Sequence, residues 1–268
     1  MNFKFTMIDN FDILTPYKES ILELFNNCFE KKLNPAFWDW AYQNNPMGSP
    51  IVSLCHCDDK LVGHYAVIPY NLTYKNLILP ACLSMTTMVH SSCRKYGLFV
   101  EQATQVYERA HALGYGVVFG FPNEKSTPGF RKRLDWMLDE PDYVAYVTLA
   151  QLADSSELRA LLDDTSLVSL DFGNHSFMEW RLAKPSHKYR TCHSFVIKDF
   201  NSQEDIVALN NLSFDGHAES ERYNILLDAG VTDLRSYEVF PYQFGYRALD
   251  DRYQGIKFKK NMLMSDVF

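Results

Sequence analysis

The chain has 268 residues, of which 47% are apolar and 22% charged, and a formal net charge of −7. This leaves room for one large globular domain or two smaller ones with a substantial core, and the acidic balance argues against general nucleic-acid binding, which needs a basic face. No run approaches the ~18 apolar residues of a membrane-spanning helix, and the opening MNFKFTMIDNFD lacks the apolar stretch of a signal peptide, so a cytoplasmic protein is expected.

In chain order, residues 3–9 alternate apolar and polar and read as a strand. Thr15-Pro16 opens a helix through Phe29, with Ile21, Leu22, Leu24, Phe25 and Phe29 on its inner face. The run Phe37-Trp38-Asp39-Trp40-Ala41-Tyr42 either packs in the core or walls an acceptor pocket; Trp38 and Tyr42 are its candidate substrate contacts. Strands follow over Ile51 to Cys57 and Lys60 to Pro69, joined at Asp58-Asp59, a hairpin signal without glycine. Asn71 to Leu79 is a third strand or the continuation of the second. The cysteines, at 28, 55, 57, 82, 93 and 192, are scattered and expected as reduced thiols. Cys55-His56-Cys57 lacks the spacing and second pair of a zinc site, so no metal is expected.

The stretch Met85 to Trp136 organises the rest. Leu83 to His90 reads as a strand, Ser91 to Leu98 as a turn, and Leu98 to Leu113 as an amphipathic helix with Phe99, Ala103, Val106, Ala110 and Leu113 on one face. Gly116 to Phe121 is a short apolar strand, and Thr127-Pro128 starts a short helix ending near Trp136. A strand feeding a helix leaves the first N–H groups unpaired, and with the helix dipole they suit phosphate. The block Arg94-Lys95-Tyr96-Gly97-Leu98-Phe99 therefore reads as a pyrophosphate cradle or, on the plainer reading, an ordinary loop.

At these residues the sequence resembles the GNAT superfamily of acyl-CoA-dependent N-acyltransferases, whose signature is Arg or Gln, two residues, Gly, one residue, then Gly or Ala. Arg94 and Gly97 match; Phe99 replaces the last small residue. Val89-His90 resembles the end of the family's fourth strand. Phe121-Pro122-Asn123 through Leu134-Asp135-Trp136 resembles its fifth strand and the helix beyond. The resemblance spans roughly residues 5–150. It implies a mixed α/β (α+β) sheet whose central strands splay to admit the pantetheine arm of acyl-CoA. Met88 and Val89 would contact the arm, an N–H near Val89 would be the oxyanion donor, and Asn123 would line the acyl opening. The Tyr that protonates the leaving thiolate in many members falls at Phe130 or Arg131, so that role does not carry over. His64 is the candidate general base, with His90, His217 or a water chain to a carboxylate as the alternatives.

Tyr143 to Ala150 reads as a strand and residues 151–164 as an exposed helix, so the change of domain is placed at 150: residues 1–150 bind acyl-CoA, and residues 151–268 form a second, smaller α+β part. Phe177-Met178-Glu179-Trp180 echoes Phe37-Trp38-Asp39-Trp40, which suggests a degenerate second GNAT-like half without the cradle. Phe195 to Ile197, Tyr237 to Phe240, Phe244 to Leu249 and Ile256 to Leu263 read as strands, and Asp205 to Leu212 as a helix.

The phrases VGHYAVIPYNLTY, GFPNEKSTPGFRKRLDW and FMEWR are similar to members that acylate nucleotide-linked amino sugars, notably dTDP-3-amino-3,6-dideoxyhexoses. The donor implied is acetyl-CoA or a larger acyl-CoA such as 3-hydroxybutyryl-CoA. Trp38, Tyr42, Phe121 and Trp180 are the expected sugar-nucleotide contacts. The alternatives are another amine (antibiotic, polyamine or peptide) or a non-catalytic acyl-CoA or nucleotide-sugar binding module.

Overall fold

The computed structural model describes residues 2–265. The first half opens with β1 (Phe3–Ile8), the short α1 (Phe11–Leu14), α2 (Lys18–Phe29) and α3 (Pro35–Trp38), which runs into a π-helical turn at Asp39–Gln43. Then come β2 (Ile51–Cys57), β3 (Lys60–Tyr74), β4 (Leu77–Val89), α4 (Leu98–Ala112), β5 (Val117–Gly120), α5 (Thr127–Arg133) and β6 (Asp142–Thr148). The hairpin between β2 and β3 turns over Asp58 (φ 48°) and Asp59 (φ 63°), and that between β3 and β4 over Lys75 (φ 51°) and Asn76 (φ 62°). Both are left-handed two-residue turns, the type that matches strand twist, achieved without glycine. The segment 71–79 is thus the end of β3, a turn and the start of β4.

The second half comprises α6 (Leu149–Asp154), α7 (Ser156–Asp163), β7 (Ser169–Leu170), α8 (His175–Leu182), β8 (Tyr189–Thr191), β9 (Phe195–Phe200), β10 (Gln203–Leu209), β11 (Arg222–Leu227), β12 (Glu238–Tyr242) and β13 (Gly245–Ala248). Three expectations change. Residues 151–164 are two helices with buried leucines, broken at Ser155, whose hydroxyl caps α7 at Leu158 N–H (3.0 Å). Asp205 to Leu212 is not a helix. Residues 205–209 lie within β10, where Ile206, Val207 and Ala208 are all buried and Asp205 pairs with Lys198 of β9 at 3.0 Å. Ile256 to Leu263 is irregular, with one bridge from Phe258 to Val168 and a 3-10 turn at Met262–Met264.

Two mixed sheets result. One has the order β1-β2-β3-β4-β5-β13, with β7 beside β3; the other has the order β12-β6-β11-β10-β9-β8. β4 and β5 are the parallel pair of the first sheet, β10 and β11 that of the second, and the other pairings are antiparallel. The second sheet repeats the directions of the first, with β9, β10, β11 and β6 standing for β3, β4, β5 and β13. Residue 150 does not separate the sheets. β6, before it, belongs to the second sheet, while β7 and β13, after it, belong to the first.

The main core fills the space between the sheets, with Leu54, Ala66 and Phe119 from one and Val144, Val207 and Leu226 from the other. Helices α4 and α5 cover the outer face of the first sheet through Ala103, Val106, Ala110 and Phe130. At the centre, the two echoed segments meet as a pseudo-twofold pair. Trp40 and Trp180 stack with centroids 4.7 Å apart and planes 6° apart. Each indole N–H donates to the other's backbone carbonyl, at 2.8 and 2.7 Å.

Candidate active site between β4 and β5

β5 pairs with β4 only from Ala81↔Val117 to Leu83↔Phe119. Beyond Leu83, β4 continues to Val89 with no strand on that side, so the two open a V whose β4 wall runs from Ser84 to Val89. Ser84, Thr86, Thr87 and Val89 are all partly exposed.

A bulge decides which backbone groups face the V. Along a strand, N–H and C=O groups point alternately to the two edges. Pro80 C=O accepts from Gly116 N–H at 2.8 Å, on the β5 side. Ser84 C=O lies on the same side, 3.2 Å from where a β-carbon on Gly120 would stand. If the alternation were unbroken, His90 would also face β5, yet its N–H donates to Val62 C=O of β3 at 2.8 Å. The register shifts between the pairs Ala66↔Met85 and His64↔Met88, where Thr86 takes a left-handed φ of 47°. After the bulge, Met88 and His90 face β3, and Thr87 and Val89 present their N–H groups to the V.

The cradle lies at the mouth of the V. Gly97 is left-handed (φ 75°) and caps α4, and no heavy atom lies within 4 Å of where its β-carbon would be. The first bond onto Gly97 C=O comes from Val100 N–H at 3.0 Å, which leaves the Leu98 and Phe99 N–H groups at the helix start. The Phe99 ring turns away from the cradle. It packs on Phe130 (5.2 Å), and a β-carbon on Gly129 would stand 3.0 Å from it. The departure at Phe99 therefore leaves its N–H available. Arg94 is exposed and donates from Nε to Val89 C=O at 3.3 Å, Lys95 lies over the Tyr96 ring at 5.2 Å, and Tyr96 packs on Phe3.

On the opposite wall, Phe121 stacks on Tyr242 (5.0 Å) and touches Phe244 (5.3 Å). Asn123 holds the turn into α5, its side-chain oxygen accepting from the Lys125 and Ser126 N–H groups at 3.1 and 3.0 Å. At the apex, Trp136 Nε1 donates to the Tyr107 hydroxyl (2.9 Å), which lies 2.7 Å from that of Tyr65, itself 2.9 Å from Ser84 Oγ. An indole can only donate, so the buried hydroxyls are best satisfied when each passes its proton onward and the Ser84 O–H points into the V.

Two sets of expected residues are placed differently from their reading. His64 is fully buried, and burial pushes its pKa down to about 4, so it is neutral. Its Nδ1 lies 2.8 Å from Thr86 C=O and its Nε2 is unpartnered. This is not the solvent-linked imidazole a general base requires. Trp38 and Tyr42 are 1% exposed and Trp180 6%, so their rings pack in the core and do not offer faces to a sugar. Tyr42 instead reaches the bulge, with its hydroxyl 2.5 Å from Thr86 Oγ1. Among the described residues, no three His, Cys, Asp or Glu side chains come together to hold a metal ion. No helix among them is long and apolar enough to cross a membrane.

Residues 15–138 match the acetyltransferase (GNAT) domain family. No curated protein matches the chain. Among solved structures, a conserved Enterococcus faecalis protein, a probable N-acyltransferase, superposes with TM-score 0.65 at 9% identity, over 93% of this chain and 73% of that one. GCN5-related N-acetyltransferases from Kribbella flavida (TM-score 0.61, 11% identity, 92% and 72% covered) and Anabaena variabilis (0.61, 7%, 92% and 73%) share the same fold. Residues 15–138, a little under half of the chain, thus resemble an acetyltransferase (GNAT) domain, and the chain as a whole shares the fold of these structures.

Proposed function

We propose that the protein acylates the amine of a small molecule by direct attack on acyl-CoA in a ternary complex, and that the acceptor is a nucleotide-linked amino sugar of the dTDP-3-amino-3,6-dideoxyhexose type. The observation that carries the acyl transfer is the open edge of β4, where Thr87 and Val89 point N–H groups into a V whose mouth is a helix N-terminus beside Arg94. Arg94, Lys95 and the Leu98 and Phe99 N–H groups hold the pyrophosphate; Tyr96 and Gly97 shape that loop. The arm then lies along Thr87 and Val89, not along Met88 as the resemblance implies, because Met88 is buried and its backbone faces β3. In place of the Val89 donor that the resemblance implies, the thioester carbonyl takes the N–H nearer the apex, that of Thr87, while Val89 N–H takes an amide carbonyl of the arm. The amine nitrogen bonds to the carbonyl carbon, the oxyanion is held by the N–H donor, and the C–S bond breaks on collapse. The amine proton leaves to solvent and CoA departs as the thiolate. Phe121 and Asn123 border the acyl group, which is acetyl or a longer chain such as 3-hydroxybutyryl. The six cysteines are free thiols, in keeping with a reducing, cytoplasmic setting.

The sugar-nucleotide acceptor rests on the resemblance of the sequence phrases around His64, Phe130 and Trp180. A second reading, a cationic acceptor such as a polyamine, is favoured by the net charge of −7 and by an open groove of about 550 Å³ beside the tryptophan pair, lined by Asp39, Asn44 and Glu179. Calorimetry with CoA, then with dTDP or spermidine, tests both. CoA binding that weakens about tenfold in Arg94→Ala, the loss of one charge-assisted contact, supports the cradle, and dTDP binding supports the sugar nucleotide. Spermidine binding without dTDP binding moves the acceptor to the cationic class, and absence of CoA binding removes the acyltransferase reading.

A further inference from the structure

The most strained point of the site has two buried side chains fixed to it. Thr86 is β-branched and sits mid-strand with φ 47°, a conformation such a residue holds only where its surroundings impose it. Two contacts do so from different elements. The Tyr42 hydroxyl, at the end of the π-helical turn, lies 2.5 Å from Thr86 Oγ1. His64 Nδ1, on β3, lies 2.8 Å from Thr86 C=O. A carbonyl only accepts, so the imidazole carries its proton on Nδ1. Tyr42 is held in turn by the Trp38 ring at 5.4 Å, and it meets His64 edge-on at 6.3 Å.

We infer that His64 and Tyr42 are positioning residues that clamp Thr86 in the bulge and thereby aim the Thr87 N–H at the thioester carbonyl. The inference rests on the acyl-CoA reading above. The one-residue slip at Thr86 moves Thr87 and Val89 from the β3-facing edge to the V-facing edge. Without it their N–H groups would be consumed by β3, and Met88 would face the V in their place. The clamp holds the side chain and the carbonyl of the one residue whose conformation sets that slip. Neither clamp residue need touch the donor or the acceptor.

The test is the carbonyl resonance of [1-13C]acetyl-CoA bound to the full chain, which reports polarisation of the thioester and needs no acceptor. A carbonyl shift on binding to the native protein is expected. In the His64→Ala/Tyr42→Phe double variant the resonance returns toward its free position, while affinity for CoA, set mainly by the cradle, changes less than threefold. Adding Thr86→Gly, which adopts φ near 47° without a steric penalty, restores the shift. A structural role alone would not give rescue by glycine. A shift unchanged in a folded double variant, or a lost shift that Thr86→Gly does not restore, overturns the clamp. Binding to the native protein without any shift overturns it as well and leaves the acyl-CoA site standing. Absence of acetyl-CoA binding removes that reading, and the clamp's stated purpose with it.

Discussion

Replacing Val89 by proline tests the orientation of the β4 edge directly. Proline removes one backbone N–H and fixes φ, so its cost depends on whether that N–H has a partner. The alternation fixed by Pro80, Ser84 and His90 puts the Val89 N–H in the V and the Met88 N–H in the ladder with β3. Proline is tolerated on an open edge but not in a paired position. Val89→Pro should therefore unfold within about 1 kcal/mol of Val89→Ala, which controls for the lost side chain. Met88→Pro leaves a buried carbonyl of β3 without its donor and should fall about 2–3 kcal/mol below Met88→Ala. In a chain of this size that lowers the melting midpoint by roughly 4–12 °C. Calorimetry supplies the functional half. The amide carbonyl of the arm loses one hydrogen bond in Val89→Pro, worth about 1 kcal/mol, so CoA should bind about fivefold more weakly than to Val89→Ala. Equal destabilisation by the two prolines would show that Val89 is paired with β3, and the assignment of both open-edge donors would fall.

Two further outcomes follow from the packing. Trp180→Phe leaves the buried Trp40 carbonyl without its donor and should cost about 1–3 kcal/mol in urea unfolding, as should Trp40→Phe; the double variant should deviate from additivity by about 1 kcal/mol, and strict additivity would refute a coupled pair. The second concerns pH. Burial raises the Asp142 carboxyl from 3.8 to about 6 despite Lys260 Nζ at 2.7 Å. A raised acid pKa means the folded state holds its proton more tightly, so this group's contribution is fully favourable below about pH 4 and is lost as pH rises through 6. The unfolding free energy of Asp142→Asn should thus gain on that of the native protein by about 2 kcal/mol between pH 4 and 7, and a flat difference would contradict it.

The geometry of the candidate donor site was legible because it is built from local chemistry. The Arg94 and Gly97 spacing, the helix start at Leu98 and the short strand at 117–120 are each set by near neighbours in sequence. The bulge left a trace too: Ser84-Met85-Thr86-Thr87-Met88 alternates polar and apolar except for two adjacent threonines, which is where the register slips. The roles of His64, Trp38 and Tyr42 were not legible. Their side chains alone suit a base or a ring platform, and only long-range packing makes them buried supports of Thr86 and the core. The helix expected at Asp205 to Leu212 failed for a similar reason. A short run of consecutive apolar residues buried on both faces has no period, and pairing with β9 and β11 made it a strand.

That strand also explains why the second half repeats the sheet without repeating the site. β10 and β11 run parallel through Asp205↔Asn224 and Ile206↔Ile225, and β10 slips register against β9 immediately after Ile206, much as β4 does at Thr86. Two things then differ. The connection from β10 to β11 contains no helix, so there is no row of free N–H groups for a pyrophosphate. The opening between β10 and β11 is also filled by the protein itself. Residues 259–262 line the β10–β11 opening and leave a cavity of only about 40 Å³, space for a water or two and far too little for a pantetheine arm. Lys260 anchors this segment to Asp142, in the strand that the first half lends to the second sheet, at 2.7 Å, and to Asp228 at 2.5 Å. Beyond it, Leu263 C=O accepts from Arg181 Nε at 2.7 Å, beside the tryptophan pair. The filled opening therefore works as an anchor: it fixes the segment that crosses between the sheets, whereas β4 keeps an open edge from Ser84 to Val89.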